Sequence, residues 1–264
     1  MNGSDSPPSQ MGKVANNKAL QVDWPLGRGV KVVSLDANGL AALIKPIGLL
    51  SHPNGPKDRT RSLLSADYDG RGECYHLTAD GAERRLYLLN RLDSATSGLV
   101  LVAENFTVAE AVRNLLAKGE VEKTYLALVF GVMKPARQVW KDRLGVKKAG
   151  GKLRATSGEG GVFAETAAFS LRVFPGLPPI SLLELKPRTG RTHQLRVQCG
   201  RRQLPIIGDQ TYGKFSWNRE HARGGGTKRL HLHSAEVSLT YEYKGKRHRF
   251  TASAPLPAEF NPVP

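Results

Sequence analysis

Between Val30 and Ala254 the chain alternates short apolar runs with polar bends, many of them marked by glycine. VKVVSLDANGLAALIKP alternates as a strand, turns at Asn38-Gly39 and resumes; Asn-Gly between two apolar runs predicts a hairpin. Lys45-Pro46-Ile47-Gly48 closes that hairpin, and SHPNGPKDRTRS reads as a loop. YLLNRLDSATSGLVLVAEN is an apolar run, a polar bend and a second apolar run. In TVAEAVRNLLAKG, Val108, Ala111, Val112, Leu115 and Leu116 recur at helical spacing. Thr107 with Glu110 reads as a capping box and Gly119 as the stop. KTYLALVFG follows as a strand. AETAAFSLRVF and ISLLELKP form two more around FPGLPP, THQLRVQCG is a short helix, and HLHSAEVSL and HRFTASAP are late strands. Residues 135–161 break the pattern: KDRLGVKKAGGKLRATSGEGG is basic, Gly-rich and poor in apolar residues, which predicts an exposed excursion, a mobile hairpin. Sheet segments outnumber helices, and the helices are scattered. The expectation is an α+β fold, a mixed, mainly antiparallel sheet flanked by helices. One domain is expected over 24–264, behind a flexible tail over 1–23 with no room for a further module.

Composition changes the picture mainly through charge. The 264 residues hold 39 Lys plus Arg against 23 Asp plus Glu, a formal net charge of +16. A domain that basic meets a polyanion, with nucleic acid ahead of a membrane surface. No apolar run approaches the roughly 20 residues of a membrane span, and the polar N-terminus has no signal-peptide core. Cys74 and Cys199 form neither a CxxC pair nor a disulfide framework, which fits reduced thiols in the cytoplasm.

Three segments concentrate polar chemistry. Asn90-Arg91-Leu92-Asp93-Ser94-Ala95-Thr96-Ser97-Gly98 places an Asp in a bend at a strand terminus, and Arg91, two residues away, would share its face on an extended strand. The plainer reading is a turn capped by Asp93 with Ser94, Thr96 and Ser97. Tyr125, in Lys123-Thr124-Tyr125-Leu126, reads locally as a core or cross-strand aromatic. Between Arg188 and Arg196 lie three arginines, Thr189, Thr192 and His193, a dense set of anion donors. A solvated basic face, with Leu195 and Val197 turned to the core, explains that segment equally well.

Together the segments resemble the RluA-type pseudouridine synthases, which isomerise uridine in RNA. The resemblance rests on NRLDSATSGLVLVA, KTYLALVFG about 30 residues on, TGRTHQLRV, PIIGDQTYG and RLHLHSAEVSL, in that order, with weaker echoes in IKPIGLLSHPNG and AETAAFSLRV. It implies that Asp93 is the catalytic aspartate. Tyr125 would be the tyrosine that stacks on the flipped base and helps remove the C5 proton, and Arg196 the arginine paired with the aspartate. Leu195 would lie beneath the base, and Arg91 would face the RNA. Asn90 and Gln198 stand where the family commonly has His, which leaves the catalytic set whole and bears on substrate choice, with Asn90 expected at the pocket border.

The implied reaction breaks C1′–N1, turns the uracil and joins C1′ to C5. Asp93 would attack C1′ or act first as a base on the sugar. Desolvation raises an Asp pKa and a neighbouring Arg lowers it, which is the reason to pair Arg196 with Asp93. The base must leave the stack first. Arg91, Arg188, Arg191, Thr192, His193, Asn90 and Leu195 are the expected substrate contacts, helped by the basic run from Lys141 to Arg154. Structured ribosomal or transfer RNA is the expected partner, the protein acting as a monomer, with no cofactor, metal or membrane.

Other functions fit less well. His193, His231, His233 and Cys199 carry no metal-hydrolase spacing. GVKKAGGK fails as a phosphate-binding loop because Gly151 stands where Lys is required. The main alternative is a non-catalytic RNA-binding protein or RNA chaperone on the same scaffold, which would not need Asp93, Tyr125 and Arg196 together.

Overall fold

A computed structural model describes residues 20–79, 81–149, 152–157 and 160–260. The predicted flexible tail falls almost wholly outside the described residues. The first hairpin is β1 (Lys31–Leu35) and β2 (Leu40–Lys45), joined at Asn38-Gly39 as the dipeptide predicts. Asp36 closes this turn by accepting from the backbone N–H groups of Asn38 and Leu40. The 51–62 loop contains a short 3-10 helix, Pro56–Arg61. Then come β3 (Asp67–Asp69), β4 (Cys74–Ala79), β5 (Ala82–Leu88) and β6 (Ser97–Ala103).

Every residue of β6 is buried. Leu99, Leu101 and Ala103 pack on α1 (Phe106–Lys118), while Val100 and Val102 pack with Trp24, Leu64, Tyr75 and Leu92 on the other side. Burial on both faces is why this segment reads as an unbroken apolar run rather than an alternating one.

The helix starts differently from the expectation. Asn105, not Thr107, is the cap: its side chain accepts from the N–H groups of Thr107 and Val108. Phe106 therefore opens the helix, and the predicted Thr107–Glu110 box does not form the cap. Ala109 rather than Ala111 joins Val108 and Val112 in full burial, with Leu115 and Leu116 partly buried beside them. Gly119 ends the helix at φ +74, in the left-handed region that glycine adopts freely.

Next are β7 (Glu122–Phe130), β8 (Arg137–Ala149), β9 (Lys152–Ser157), β10 (Val162–Phe174) and β11 (Ile180–Pro187), followed by α2 (Gln194–Arg201), α3 (Phe215–Arg223), β12 (Leu232–Tyr243) and β13 (Lys246–Ser253). The main sheet path is β3-β4-β5-β6-β12-β7-β11-β10-β8-β9, with β2 also on β6 and β13 also on β12. Among these pairings only β12 on β6 is parallel. The mixed, mainly antiparallel α+β sheet expected from the sequence is the one observed.

The 135–161 expectation is met in part, since β8 and β9 pair as an antiparallel hairpin, but its exposure needs correction. Residues Arg137 to Leu144 pair along β10, and Trp140 and Leu144 are buried. Two well-spaced apolar residues anchor a basic strand that composition alone marks as an excursion. The sequence reading also overlooked α3 and the β4–β5 hairpin, whose outer residues Glu83, Arg84 and Arg85 are all exposed.

Candidate active site

The polar bend of residues 89–96 is a loop, not an extended strand, because β6 begins only at Ser97. Same-face strand geometry therefore does not relate Arg91 to Asp93, although both line one cavity. Several ties hold this loop. Ser51 Oγ donates to the Leu92 carbonyl and accepts from the Leu92 N–H, both at 2.9 Å. The Lys45 ammonium, wholly buried, donates to the carbonyls of Pro46, Leu49 and Ser94. Burial pulls the Lys45 pKa down to about 8, opposed by Asp93 and reinforced by Arg229.

α2 approaches this loop from the opposite wall. His193 precedes it at φ +53, and residues 194–199 are all buried. Arg196 projects from the helix between two carboxylates. Its Nη1 donates to Asp93 at 2.8 Å, while Nε and Nη2 make two parallel bonds to Asp209, each 2.8 Å. Burial opposes the charge on Arg196, but the bonds from Asp209 and Asp93 outweigh it and raise its pKa. Burial alone would raise the Asp209 pKa, yet Arg196 and the N–H groups of Tyr212 and Thr211 hold it below the usual carboxylate value. The Asp93–Arg196 pairing expected from the sequence is present; Asp209 was given no role there.

The cavity in front of Asp93 has a volume of about 120 Å³ and is lined by Asp93, Arg91, Lys123, Tyr125, Leu195 and Arg196, among others. That is well below the roughly 300–1,000 Å³ of drug-sized pockets, a size suited to a single base. Tyr125 is partly buried on β7; burial, with a smaller contribution from Asp93, pushes its phenol pKa up against a hydrogen bond with Ser234. Lys123, two residues earlier on the same strand face, also lines the cavity, and burial lowers its pKa. A desolvated lysine lining the same cavity as the carboxylate is a feature that sequence reading passed over.

The other predicted contacts divide. Arg191 lines the cavity and is exposed, its Nε donating to the Phe163 carbonyl at 3.2 Å. His193 lines it too, with Nδ1 2.9 Å from the Tyr212 hydroxyl and Nε2 3.6 Å from Asp93, too far for a hydrogen bond. Burial lowers its pKa against the pull of Asp93. Arg188 sits at the edge of an adjoining open cavity of about 1190 Å³, 3.3 Å from Glu165. That larger space shares Lys123, Pro187 and Thr189 with the smaller one, but Asp93 and the buried Arg196 line only the smaller. Thr192 is exposed and lines neither cavity. Asn90 lines neither as well: its Oδ1 accepts from the Leu101 N–H at 2.7 Å, so it braces β6 rather than bordering the pocket. Gln198 is buried on α2, bonded to Thr166 and Asp142.

His231 and His233 are buried in the core. His231 lies beside Thr227 and the Ile207 carbonyl, and His233 Nδ1 is 2.9 Å from Ser97 Oγ. Burial draws both imidazoles down to about 4. Among the described residues no helix is long and apolar enough to cross a membrane.

Comparison with known proteins places this geometry. A family model described as RNA pseudouridylate synthase matches residues 39–200, which include Asp93, Tyr125 and Arg196. The chain is 31% identical over 222 residues to a Rickettsia conorii protein named ribosomal large subunit pseudouridine synthase C, covering 83% of this chain and 66% of that one. It is 29% identical over 214 residues to a Vibrio cholerae protein named tRNA pseudouridine synthase C, covering 77% and 83% respectively. In fold it is similar to human RNA pseudouridylate synthase domain containing 1, with a TM-score of 0.62, 24% identity and coverage of 86% of this chain and 83% of that chain. The chain belongs to the RNA pseudouridylate synthase family, the RluA type that its motifs resemble, whose members are isomerases.

Proposed function

We propose that this chain converts uridine to pseudouridine in structured ribosomal or transfer RNA, with Asp93 as nucleophile on a flipped-out base and 24–264 acting as one catalytic domain. The observation that carries this reading is the Asp93 carboxylate, held at 2.8 Å by Arg196 on the wall of a base-sized cavity. The relatives' names supply the RNA classes.

In this reading a uridine leaves the stack and enters between Tyr125 and Leu195. Flipping costs a few kcal/mol and is offset by stacking and hydrogen bonds. An Asp93 oxygen attacks C1′ as the C1′–N1 bond breaks, giving a glycosyl ester and a uracil anion. Lys123 lines the cavity that receives that anion, and partial desolvation makes its charge count for more there than in water. The uracil turns, C5 bonds to C1′, and Asp93 departs as a carboxylate. The C5 proton is lost and N1 gains one, so the overall change is a redox-neutral isomerisation. Burial favours Tyr125 as a neutral phenol, suited to stacking and donation. Removing the C5 proton with Tyr125 would require ionisation against that shift.

Arg91 and Arg191 at the mouth, with Arg188 beside it, supply phosphate contacts, and the net charge of +16 adds salt-dependent affinity. The test is release of tritium from C5 of uridine in ribosomal and transfer RNA, with RNA binding measured in parallel. Wild type is expected to release tritium and Asp93→Asn to bind without release. Salt-dependent binding by wild type with no release from either RNA class would favour the RNA-binding or chaperone reading.

A further inference from the structure

On the β3–β4 hairpin, Asp69 and Cys74 are cross-strand partners, and His76 lies two residues along β4 from Cys74. One donor atom from each lies within 4.8 Å of the other two, and Cys74 Sγ is 4.0 Å from His76 Nε2. We infer that Asp69, Cys74 and His76 form a binding site for a zinc-like divalent cation, with water or another exogenous donor completing the coordination.

Two features of the turn prepare the donors. Arg71 N–H donates to Asp69 Oδ1 at 2.8 Å, leaving Oδ2 on the Cys74 side. Between them stands Gly72: a Cβ there would fall 2.8 Å from Asp69 Oδ2 and 3.3 Å from Cys74 Sγ. The missing side chain keeps a space open between oxygen and sulfur. Behind the turn, Arg113 Nη2 lies within 3.4 Å of the carbonyls of Gly72, Glu73 and Leu88, bracing the backbone from α1.

The donor set selects the cation. Calcium and magnesium take oxygen shells, whereas sulfur, imidazole and carboxylate together suit zinc and its borderline-soft neighbours. Tetrahedral zinc, with bonds of roughly 2.0–2.3 Å, places its donors closer together than they stand here. His76 is exposed, so its ring can turn inward without disturbing the core. Binding forms the Cys74 thiolate, the displaced proton passing to solvent. Two anionic donors then neutralise the dication in a neighbourhood that includes Arg85 and Arg113.

The site also has a route to the catalytic loop. Tyr75, between Cys74 and His76, donates to the Ser51 carbonyl at 2.6 Å, and Ser51 Oγ exchanges hydrogen bonds with Leu92, next to Asp93. Fixing β4 thus steadies a strand that supports the loop. The metal site stands on its own residues and does not depend on the proposed reaction.

The experiment uses the full chain without a histidine tag, stripped with chelator and titrated with cobalt(II) or zinc. Wild type is expected to bind one equivalent, to show a thiolate-to-cobalt charge-transfer band in the near ultraviolet, and to gain thermal stability with zinc. His76→Gln, an exposed change that leaves the core intact, is expected to weaken affinity at least about tenfold, and Cys74→Ser to abolish the band. Gly72→Ala, which fills the space between the donors, is expected to weaken binding as well. No stoichiometric binding by wild type overturns the proposal, as does an unchanged affinity and spectrum in Cys74→Ser.

Discussion

Two aspartates flank one arginine, and the loops that carry them differ in almost every other respect. Asp209, on the segment after α2, is 2% exposed and takes both parallel bonds from Arg196 as well as the N–H groups of Thr211 and Tyr212. Asp93, on the loop before β6, has a side chain 28% exposed and takes one bond from the same guanidinium. A buried carboxylate that accepts four hydrogen bonds through its two oxygens is an anchor. One held at a single oxygen at a cavity wall is oriented yet still able to react. Arg196 is thus positioned by one loop and presented to the other.

The contrast predicts separable losses. Asp93→Asn should reduce pseudouridine formation at least about a thousandfold, as loss of a covalent nucleophile does, while moving the thermal midpoint little. Tritium release and a melting curve on the same preparation measure both. A large fall in stability would mean that Asp93 too is an anchor. Asp209→Asn should cost roughly 3–5 kcal/mol, because it leaves a buried guanidinium short of its charge partner. Urea unfolding measures this, and activity should fall only as far as Arg196 loses its position.

Acid should act in two stages. His231 and His233 are neutral in the fold and held near 4, while the unfolded chain takes up protons below about 6.5. The unfolded state therefore binds more protons in that window, and stability falls as pH drops from about 6.5 to about 4, by roughly 3 kcal/mol for each histidine. The Asp209 pKa is depressed, so its contribution persists through that window and is lost only as pH falls further, through its folded value. Denaturant midpoints between pH 7 and pH 3, in wild type and His233→Gln, resolve the stages. A flat profile above pH 4 would refute the neutral-histidine assignment. The smallest effect belongs to the rim: Arg191→Ala should lower the slope of log affinity for RNA against log salt by about 0.7–0.9, one phosphate contact, and leave stability unchanged.

What could be read from the chain followed physical lines. The first hairpin was legible because Asn38-Gly39 is a local turn signal. β6 was legible because burial on both faces leaves a continuous apolar run. Asp93, Tyr125 and Arg196 stood out only as members of motifs in order, since each alone has a plainer structural explanation. Asp209 was present within PIIGDQTYG but carried no separate signal, because its importance lies in a bond to a residue 13 positions away. Asn90 was expected at the pocket and turned out to brace Leu101, for adjacency to Asp93 in sequence does not determine which way a loop side chain turns.

The sequence alone therefore determined the class of fold and the basic character, and its motifs singled out the aspartate, tyrosine and arginine proposed to carry the chemistry. Fold class and charge follow from local propensity, patterning and composition, which each segment carries by itself, whereas the three site residues follow only from the resemblance of the motifs taken in order. Only the tertiary structure decided that one guanidinium serves two carboxylates, that Lys45 ties the loop carrying Asp93, that Lys123 lines the cavity, and that Trp140 and Leu144 draw a basic strand into the sheet. Each depends on distance and burial between segments remote in sequence. A charged residue reads the same along the chain whether it meets water or a buried partner.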